Sequence, residues 1–213
     1  MAYVERIHNW VVATEHTFEP DPNYLALQKK FSSVERETLI NWLLDVQVKF
    51  NLLPETFFIT VNIIDRYLSK RSVTLSKLQL LGITAMMIAC KFQEIYPPIT
   101  SDFIHITDKA FTARAVKAME KKVLHVIEFD VNCTPSQTFL ENYCRAIDLD
   151  EPRVLIYASF LLDLALIKAE FLQFKTSQLT VCALVMALRH QMQVTNRSYI
   201  DKLQHLEEVM ELE

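Results

Sequence analysis

The chain has 213 residues, 51% of them hydrophobic, with a formal net charge of −4 and a single glycine. A chain with so few glycines can form few tight hairpin turns, and this disfavours an all-β fold. The negative net charge disfavours a nucleic-acid binder, because such proteins usually present a basic stripe. Long segments with apolar residues at helical spacing instead predict an all-α protein.

A short amphipathic helix is predicted at the start, spanning Ala2 to about His16. Tyr3, Ile7 and Trp10 share one face at positions i, i+4 and i+7. The turn-rich segment 19–23 separates this helix from the rest of the chain. Two interpretations are open for it: the helix packs on its own domain, or its aromatic face docks partly on a partner.

Five further helices joined by short connections predict one compact helical fold over residues 32–133. The third of them contains Leu78–Cys90, which is apolar on nearly every side and is therefore typical of the central helix of a bundle. This apolar run is shorter than the roughly 20 residues of a membrane span, so no membrane partner is expected. The candidate helix starts are Ser32 or Ser33, Pro54, Thr74 or Ser76, Thr100 or Ser101, and Thr112.

The pattern partly restarts after a linker at residues 129–135. At one offset of 101 residues, Leu39–Trp42 matches Leu140–Tyr143 and Ser76–Leu78 matches Ser177–Leu179. The shared offset indicates either a divergent tandem repeat or a chance similarity between amphipathic helices. The helices predicted in the second fold are Ser136–Ile147, Glu151–Lys168, Thr176–Met192 and Arg197–Leu212.

The predicted organisation has three parts, with the last fold shortened at its C-terminus. They are an N-terminal helix with its connector over 1–31, a first fold over 32–133 and a second fold over 134–213. The four cysteines show no Cys-x-x-Cys spacing and are interpreted as reduced core residues of an intracellular protein. They are Cys90, Cys133, Cys144 and Cys182.

No set of catalytic residues is apparent, so the chain is not expected to be an enzyme. The six histidines are scattered without metal-ligand spacing, and one glycine cannot build a phosphate-binding loop. No cofactor or metal is therefore expected.

Two pairs of charged residues stand among apolar neighbours. Arg36 and Asp65 lie on consecutive predicted helices, where a half-buried ion pair would have a structural role. Lys91 and Glu120 lie near one end of the first fold's core. They either pair with each other and pack down, or they project to contact the charges of a partner.

A third polar feature surrounds Trp42. Leu39, Trp42 and Asp45 lie at i, i+3 and i+6, nearly on one helix face, and Gln79 belongs to the same group. The group forms either ordinary core packing or an exposed groove for a peptide.

Several ordered segments resemble the cyclin box, and the run KFQEIYPP is most similar to the mitotic A/B-type cyclins. The resemblance implies two tandem cyclin folds and a regulatory subunit of a cyclin-dependent kinase, acting in the nucleus and cytoplasm. The segments are Arg36–Asp45 (RETLINWLLD), Asn62–Leu68 (NIIDRYL), Leu78–Gly82 (LQLLG) and Ala89–Pro98 (ACKFQEIYPP), followed in register by Ile106–Asp108, Met119–Glu120 and Glu128–Asp130.

The resemblance also implies which residues contact the kinase. Lys91 and Glu120 would meet the kinase C helix and the strand before it, and the N-terminal helix would touch the kinase through Tyr3, Ile7 and Trp10. Holding the C helix inward lets the kinase form its Lys–Glu ion pair and order its activation loop. The apolar contacts implied are Ile88, Phe92, Leu124, Phe129 and Val131.

The family's docking patch for Arg-x-Leu peptides is altered in this sequence. Leu39, Trp42, Asp45 and Gln79 fit the patch, but Glu35 and Thr38 replace two of its apolar residues, so weakened recognition of such substrates or inhibitors is expected. Two non-kinase alternatives remain, a cyclin-fold scaffold and a transcription-type adaptor. The charge of −4 and the absence of a zinc ribbon before the box argue against the adaptor.

Overall fold

The computed structural model describes residues 2–195 and 199–211, apart from the side chains of 2–5, 7, 8 and 207–211. The described backbone is helical without strands, which confirms the all-α prediction. Short 3-10 helices cover Glu15–Phe18 and Ala169–Gln173. The α-helices are α1 Ala2–Thr14, α2 Tyr24–Leu27, α3 Ser33–Phe50, α4 Pro54–Lys70, α5 Leu75–Gln93, α6 Thr100–Ile106, α7 Ala113–Val126, α8 Ser136–Ala146, α9 Pro152–Ile167, α10 Thr176–Thr195 and α11 Ile200–Glu211.

The chain forms two compact units, each assembled from segments that are not consecutive. The first unit consists of residues 18–133 with 166–173, and the second unit contains 2–17, 134–165 and the described residues from 174 onward. Of the helix predicted at Arg197–Leu212, both end residues lie outside the described residues.

The first unit is built around α5, which packs against α3, α4 and α7. Residues 80–90 of α5 are buried without interruption, as predicted for a central helix. Gly82 allows α3 to approach closely, because a Cβ at this position would lie 2.8 Å from Leu39 Cδ1. Among the described residues, α5 is the one helix that could cross a membrane by length and composition, but 67% of its apolar stretch is buried inside the protein.

Most helices of the first unit begin at the capping residues predicted from the sequence. Ser32 and Glu35 form a reciprocal capping box at the start of α3, and Pro54 occupies the first turn of α4. The Thr112 hydroxyl accepts a hydrogen bond from the Ala115 N–H. The short α6 differs, because its cap is Ile99, whose N–H donates to an Asp102 carboxylate oxygen at 2.9 Å.

The N-terminal segment belongs to the core of the second unit. Val11 is buried among side chains of α8, α9 and α10. The Glu15 carboxylate is buried as well and accepts hydrogen bonds from the Ser177 hydroxyl at 2.7 Å and the Ser177 N–H at 3.1 Å. Glu15 therefore supplies a hydrogen-bond acceptor to the first turn of α10, where backbone N–H groups have no helical partner.

Glu15→Ala is expected to lower the free energy of unfolding of the second unit by about 1–3 kcal/mol, because it leaves the buried Ser177 donors without an acceptor. Thermal unfolding followed by circular dichroism measures this loss. Glu19→Ala is the matched control, because Glu19 is an exposed acid four residues further along the chain. Equal stability of the two variants would contradict the proposed cap.

The buried cysteines fit the reduced-core prediction, with one exception. Cys90, Cys133 and Cys144 are buried, and burial raises their pKa values to about 12, 12 and 11, so they remain neutral thiols. Cys182 is exposed on α10, so the prediction that it belongs to the core was wrong. Its neighbours Val181 and Ala183 face the core instead.

Candidate functional site

The C-terminal end of α5 is where the buried core helix reaches the protein surface. Phe92 is 50% exposed, directly after a run of buried residues that ends at Cys90. Glu94 fixes the chain beyond it, since its Oε1 accepts hydrogen bonds from the Leu53 N–H at 2.9 Å and the Thr56 hydroxyl at 2.5 Å. Sequence reasoning did not single out Glu94, although its carboxylate ties the end of α5 to the start of α4.

Lys91 and Glu120 form an ion pair between α5 and α7. Lys91 Nζ lies 2.5 Å from Glu120 Oε1, and the two side chains are 52% and 19% exposed. The two residues therefore pair with each other, as the first alternative expected, while the lysine stays half in solvent. A partner carboxylate could reach Lys91 without displacing buried side chains.

Apolar side chains extend this surface along α7 and the segment after it. Leu124 lies one turn after Glu120, so the two share one face of the helix. Leu124 and Val131 are half-buried and Phe129 is 62% exposed. Ile88 is only 4% exposed, so it supports this surface from within the core.

Phe129 has an unusual backbone. Glu128 and Phe129 have φ angles of 60° and 61°, a left-handed conformation that costs a non-glycine residue roughly 1–2 kcal/mol. The Phe129 N–H donates to the Leu124 carbonyl at 2.8 Å at the end of α7. The centroids of the Phe129 and His125 rings lie 5.3 Å apart. A large apolar side chain is thus held at the surface by the left-handed turn that ends α7, and the same pair of left-handed φ angles follows α6 at Asp108 and Lys109.

Arg36 and Asp65 form a bidentate ion pair in the core of the first unit. The Nε and Nη2 atoms of Arg36 donate to the two carboxylate oxygens of Asp65 at 2.8 and 2.7 Å. Both residues are almost fully buried, where the sequence analysis expected half-burial. Burial and the Asp65 charge raise the pKa of Tyr24, whose hydroxyl donates to Asp65 Oδ1 at 2.6 Å. Arg36 also donates to the backbone carbonyls of residues 166 and 167.

The residues of the predicted docking patch differ in exposure. Leu39 is buried, Trp42 and Gln79 are half-buried, and Asp45 is exposed. Of the two residues that depart from the family pattern, Glu35 is engaged in the capping box of α3 and Thr38 is exposed.

The N-terminal helix presents one of its three predicted contact residues in the described part of the chain. Trp10 is 61% exposed, and the side chains of Tyr3 and Ile7 lie outside the described residues. No group of three His, Cys, Asp or Glu residues that could hold a metal ion occurs among the side chains that the structure describes.

Comparison with known proteins gives consistent similarities. A sequence family described as "Cyclin, N-terminal domain" matches residues 6–132. G2/mitotic-specific cyclin-1 of Medicago sativa subsp. varia is 37% identical over 185 residues, which cover 87% of this chain and 43% of that protein. G2/mitotic-specific cyclin-B of Hydra vulgaris is 37% identical over 187 residues, 88% of this chain and 51% of that protein. The chain thus spans about half the length of the curated relatives it matches.

Two solved structures share the arrangement of helices. A viral cyclin from herpesvirus saimiri has a TM-score of 0.78 at 19% identity, covering 94% of each chain. A chain of the CAK complex from Chaetomium thermophilum bound to ATP-gamma-S has a TM-score of 0.56 at 16% identity, covering 97% of this chain and 68% of that one. At these identities the likeness shows the fold alone.

Proposed function

The chain belongs to the cyclin family, and on that premise we propose that it binds and activates a cyclin-dependent serine/threonine kinase in cell-cycle control. In this proposal it acts in the nucleus and cytoplasm as a regulatory subunit and contributes no catalytic group. Its relatives named as mitotic cyclins support a role in mitosis.

The observation that carries the proposal is the surface at the end of α5. Two exposed phenylalanines, Phe92 and Phe129, accompany a half-exposed ion pair, Lys91 with Glu120. Interfaces draw most of their binding energy from a few aromatic and charged anchors surrounded by weaker contacts. Because Lys91 and Phe92 lie on α5, the core helix of the first unit, these two anchors have a rigid support.

The proposed mechanism is conformational. The surface formed by Lys91, Phe92, Glu120, Leu124 and Phe129 would pack on the kinase C helix and hold it inward. A kinase that is 1% active alone and 99% active in the complex needs a preference of about 5.5 kcal/mol for the active state. Burying aromatic side chains against only the inward position of the C helix supplies such a preference, since uniform binding to both positions would shift nothing.

The test combines binding and activity. The purified chain is mixed with each cyclin-dependent kinase of the same organism, and complex formation and phosphorylation of a peptide substrate are measured together. We expect one kinase to form a stoichiometric complex and to phosphorylate the peptide up to about a hundredfold faster. If no kinase is bound, the proposed partner is wrong.

A cyclin-fold scaffold or adaptor that activates no kinase is the second candidate. The internal ion pair favours it, since Lys91 and Glu120 could serve only the packing of α5 against α7. Binding of a kinase without any gain in phosphorylation rate would support this alternative.

Recognition of Arg-x-Leu peptides is expected to be weak, because the exposed Thr38 replaces an apolar residue of the docking patch. Thr38→Ile should tighten peptide binding by about 1 kcal/mol, or roughly fivefold, through added apolar contact. Fluorescence anisotropy with an Arg-x-Leu peptide measures the change, and an Ala-x-Ala peptide is the control. Low-micromolar binding to the unchanged chain would contradict the expectation.

A further inference from the structure

A second surface of the first unit has no role in the proposed kinase contact. A cavity of about 540 Å³ opens between the end of α4 and the outer face of α7. Its lining includes Arg71, Lys121, Lys122 and His125, together with the hydroxyl-bearing Ser72 and Tyr67. The volume falls in the range of binding sites for small molecules and peptide side chains.

The cations of this cavity are not neutralised by the protein. Among the described residues, no acidic side chain forms an ion pair with Arg71, Lys121 or Lys122. The neighbouring Lys70 does have such a partner, Glu128, at 3.1 Å. In a chain whose net charge is −4, three unpaired cations around one cavity create a local positive field that favours an anion.

The cavity also offers neutral hydrogen-bond donors and a fixed rim. Burial raises the pKa of Tyr67, so its hydroxyl stays protonated at neutral pH. Ser72 is exposed next to Arg71. His125 is held in place because its Nδ1 lies 2.8 Å from the Lys121 carbonyl and its ring lies against Phe129. Charged lysine and arginine donors make the strongest hydrogen bonds to phosphate oxygens, and hydroxyl groups lining the same cavity can add neutral ones.

We propose that this cavity binds a phosphorylated serine or threonine side chain within a peptide segment of a partner protein. The cavity is much larger than a phosphate ion, so it has room for the residues that flank the modified side chain. Of the two aromatic rings in its wall, Tyr67 is only 5% exposed and His125 lies against Phe129, an arrangement that favours a phosphorylated side chain over a stacked nucleotide base. Recognition of phosphorylated segments by clusters of basic residues is a recurrent binding mode.

The phosphate cavity adjoins the proposed kinase surface where the His125 ring lies against Phe129, but its lining includes none of the proposed kinase-contact residues. Lys122 lies two residues after Glu120, so the two side chains project about 200° apart around α7. The inference therefore goes beyond the kinase proposal and does not depend on it. Binding is measured with the chain alone, so its failure and the failure of kinase activation are separate results.

The test uses fluorescein-labelled degenerate peptide libraries whose central residue is phosphoserine, phosphothreonine, serine or threonine. Fluorescence anisotropy with the full chain should show at least about tenfold tighter binding of the phosphorylated libraries, and added salt should weaken it. The double variant Lys121→Gln, Lys122→Gln should lose this preference. Its thermal unfolding should match that of the unchanged chain, because both lysines are exposed.

A matched control variant removes two positive charges from another cavity of the first unit. Lys49 and Lys109 are exposed and line a cavity beside α6, so Lys49→Gln, Lys109→Gln should keep the phosphopeptide preference. The proposal is overturned if neither phosphorylated library binds, if the serine and threonine libraries bind equally well, or if both double variants behave alike. Tighter, Lys121- and Lys122-dependent binding to vesicles that contain phosphatidylinositol phosphates would also overturn it, in favour of a lipid headgroup.

Discussion

Asp65→Ala is expected to lower the free energy of unfolding of the first unit by about 3–5 kcal/mol, because it leaves the guanidinium of Arg36 buried without its counter-charge. Arg36 is 1% exposed, so water cannot replace the lost carboxylate. The Tyr24 hydroxyl loses its acceptor through the same change. Urea unfolding followed by circular dichroism measures the loss.

Three further variants separate the contributions to this network. Asp65→Asn keeps a hydrogen-bond acceptor but removes the charge. Its free energy of unfolding should therefore lie between those of the unchanged chain and of Asp65→Ala. Tyr24→Phe removes one donor and should cost about 1 kcal/mol. Asp45→Ala is the control, because Asp45 is an exposed acid on α3, and it should change stability by less than about 0.5 kcal/mol.

The network also attaches a distant segment to the first unit. Arg36 Nη1 donates to the Ile167 carbonyl at 2.8 Å, and Nη2 lies 3.2 Å from the Leu166 carbonyl. Arg36→Met, Asp65→Leu removes both charges and is therefore expected to cost less than Asp65→Ala, since no buried charge is left alone. A double variant less stable than Asp65→Ala would mean that the bonds to residues 166 and 167 outweigh the ion pair.

Features of the fold that depend on neighbouring residues could be predicted from the sequence. The continuous apolar run of α5 identified the central helix, and Ser32 with Glu35 identified the start of α3. Contacts across long separations could not be predicted, because helical periodicity shows which face is buried but not what covers it. The Glu15 cap on Ser177, 162 residues away, is such a contact.

For the candidate site too, the sequence predicted local features but not contacts between distant residues. The position of Lys91 and Phe92 at the end of an apolar helix indicated that they reach the surface. The pattern could not decide whether Lys91 pairs internally, since this depends on how α7 crosses α5. The left-handed backbone of Phe129 was not predictable either, because phenylalanine has no preference for that conformation. In the same way, Cys182 fitted a helical pattern but faces away from the core.

Reversing the charges of the Lys91–Glu120 pair is expected to weaken kinase binding and activation strongly while leaving the first unit folded. In Lys91→Glu, Glu120→Lys, the ion pair between α5 and α7 can re-form with opposite polarity, so the free energy of unfolding should change by less than about 1 kcal/mol. The partner kinase, however, would meet an acid where its own charges fit a base. Disrupting a close charge pair at an interface costs about 2–5 kcal/mol of binding free energy, at least roughly thirtyfold in affinity.

The two single variants show whether the charges act on the partner or only on each other. Lys91→Glu and Glu120→Lys each break the internal pair, so both should weaken kinase binding and lose slightly more stability than the double variant. If the pair serves only internal packing, the double variant should regain both stability and kinase activation. If Lys91 and Glu120 contact the kinase, the double variant should regain stability alone. Isothermal titration with the kinase and urea unfolding are measured on the same samples.

The Lys168–Glu37 pair is a closely matched control for this charge reversal. Its Nζ and Oε2 atoms lie 2.6 Å apart within the first unit, and its side chains are 52% and 20% exposed, against 52% and 19% for Lys91 and Glu120. Lys168→Glu, Glu37→Lys should therefore have the same small effect on stability and none on kinase binding. Equal loss of kinase binding in both reversed pairs would point to a general charge effect and would remove Lys91 and Glu120 from the proposed interface. Loss confined to the Lys91–Glu120 reversal would locate the kinase contact at the end of α5, because the two pairs differ in position but hardly in geometry or exposure.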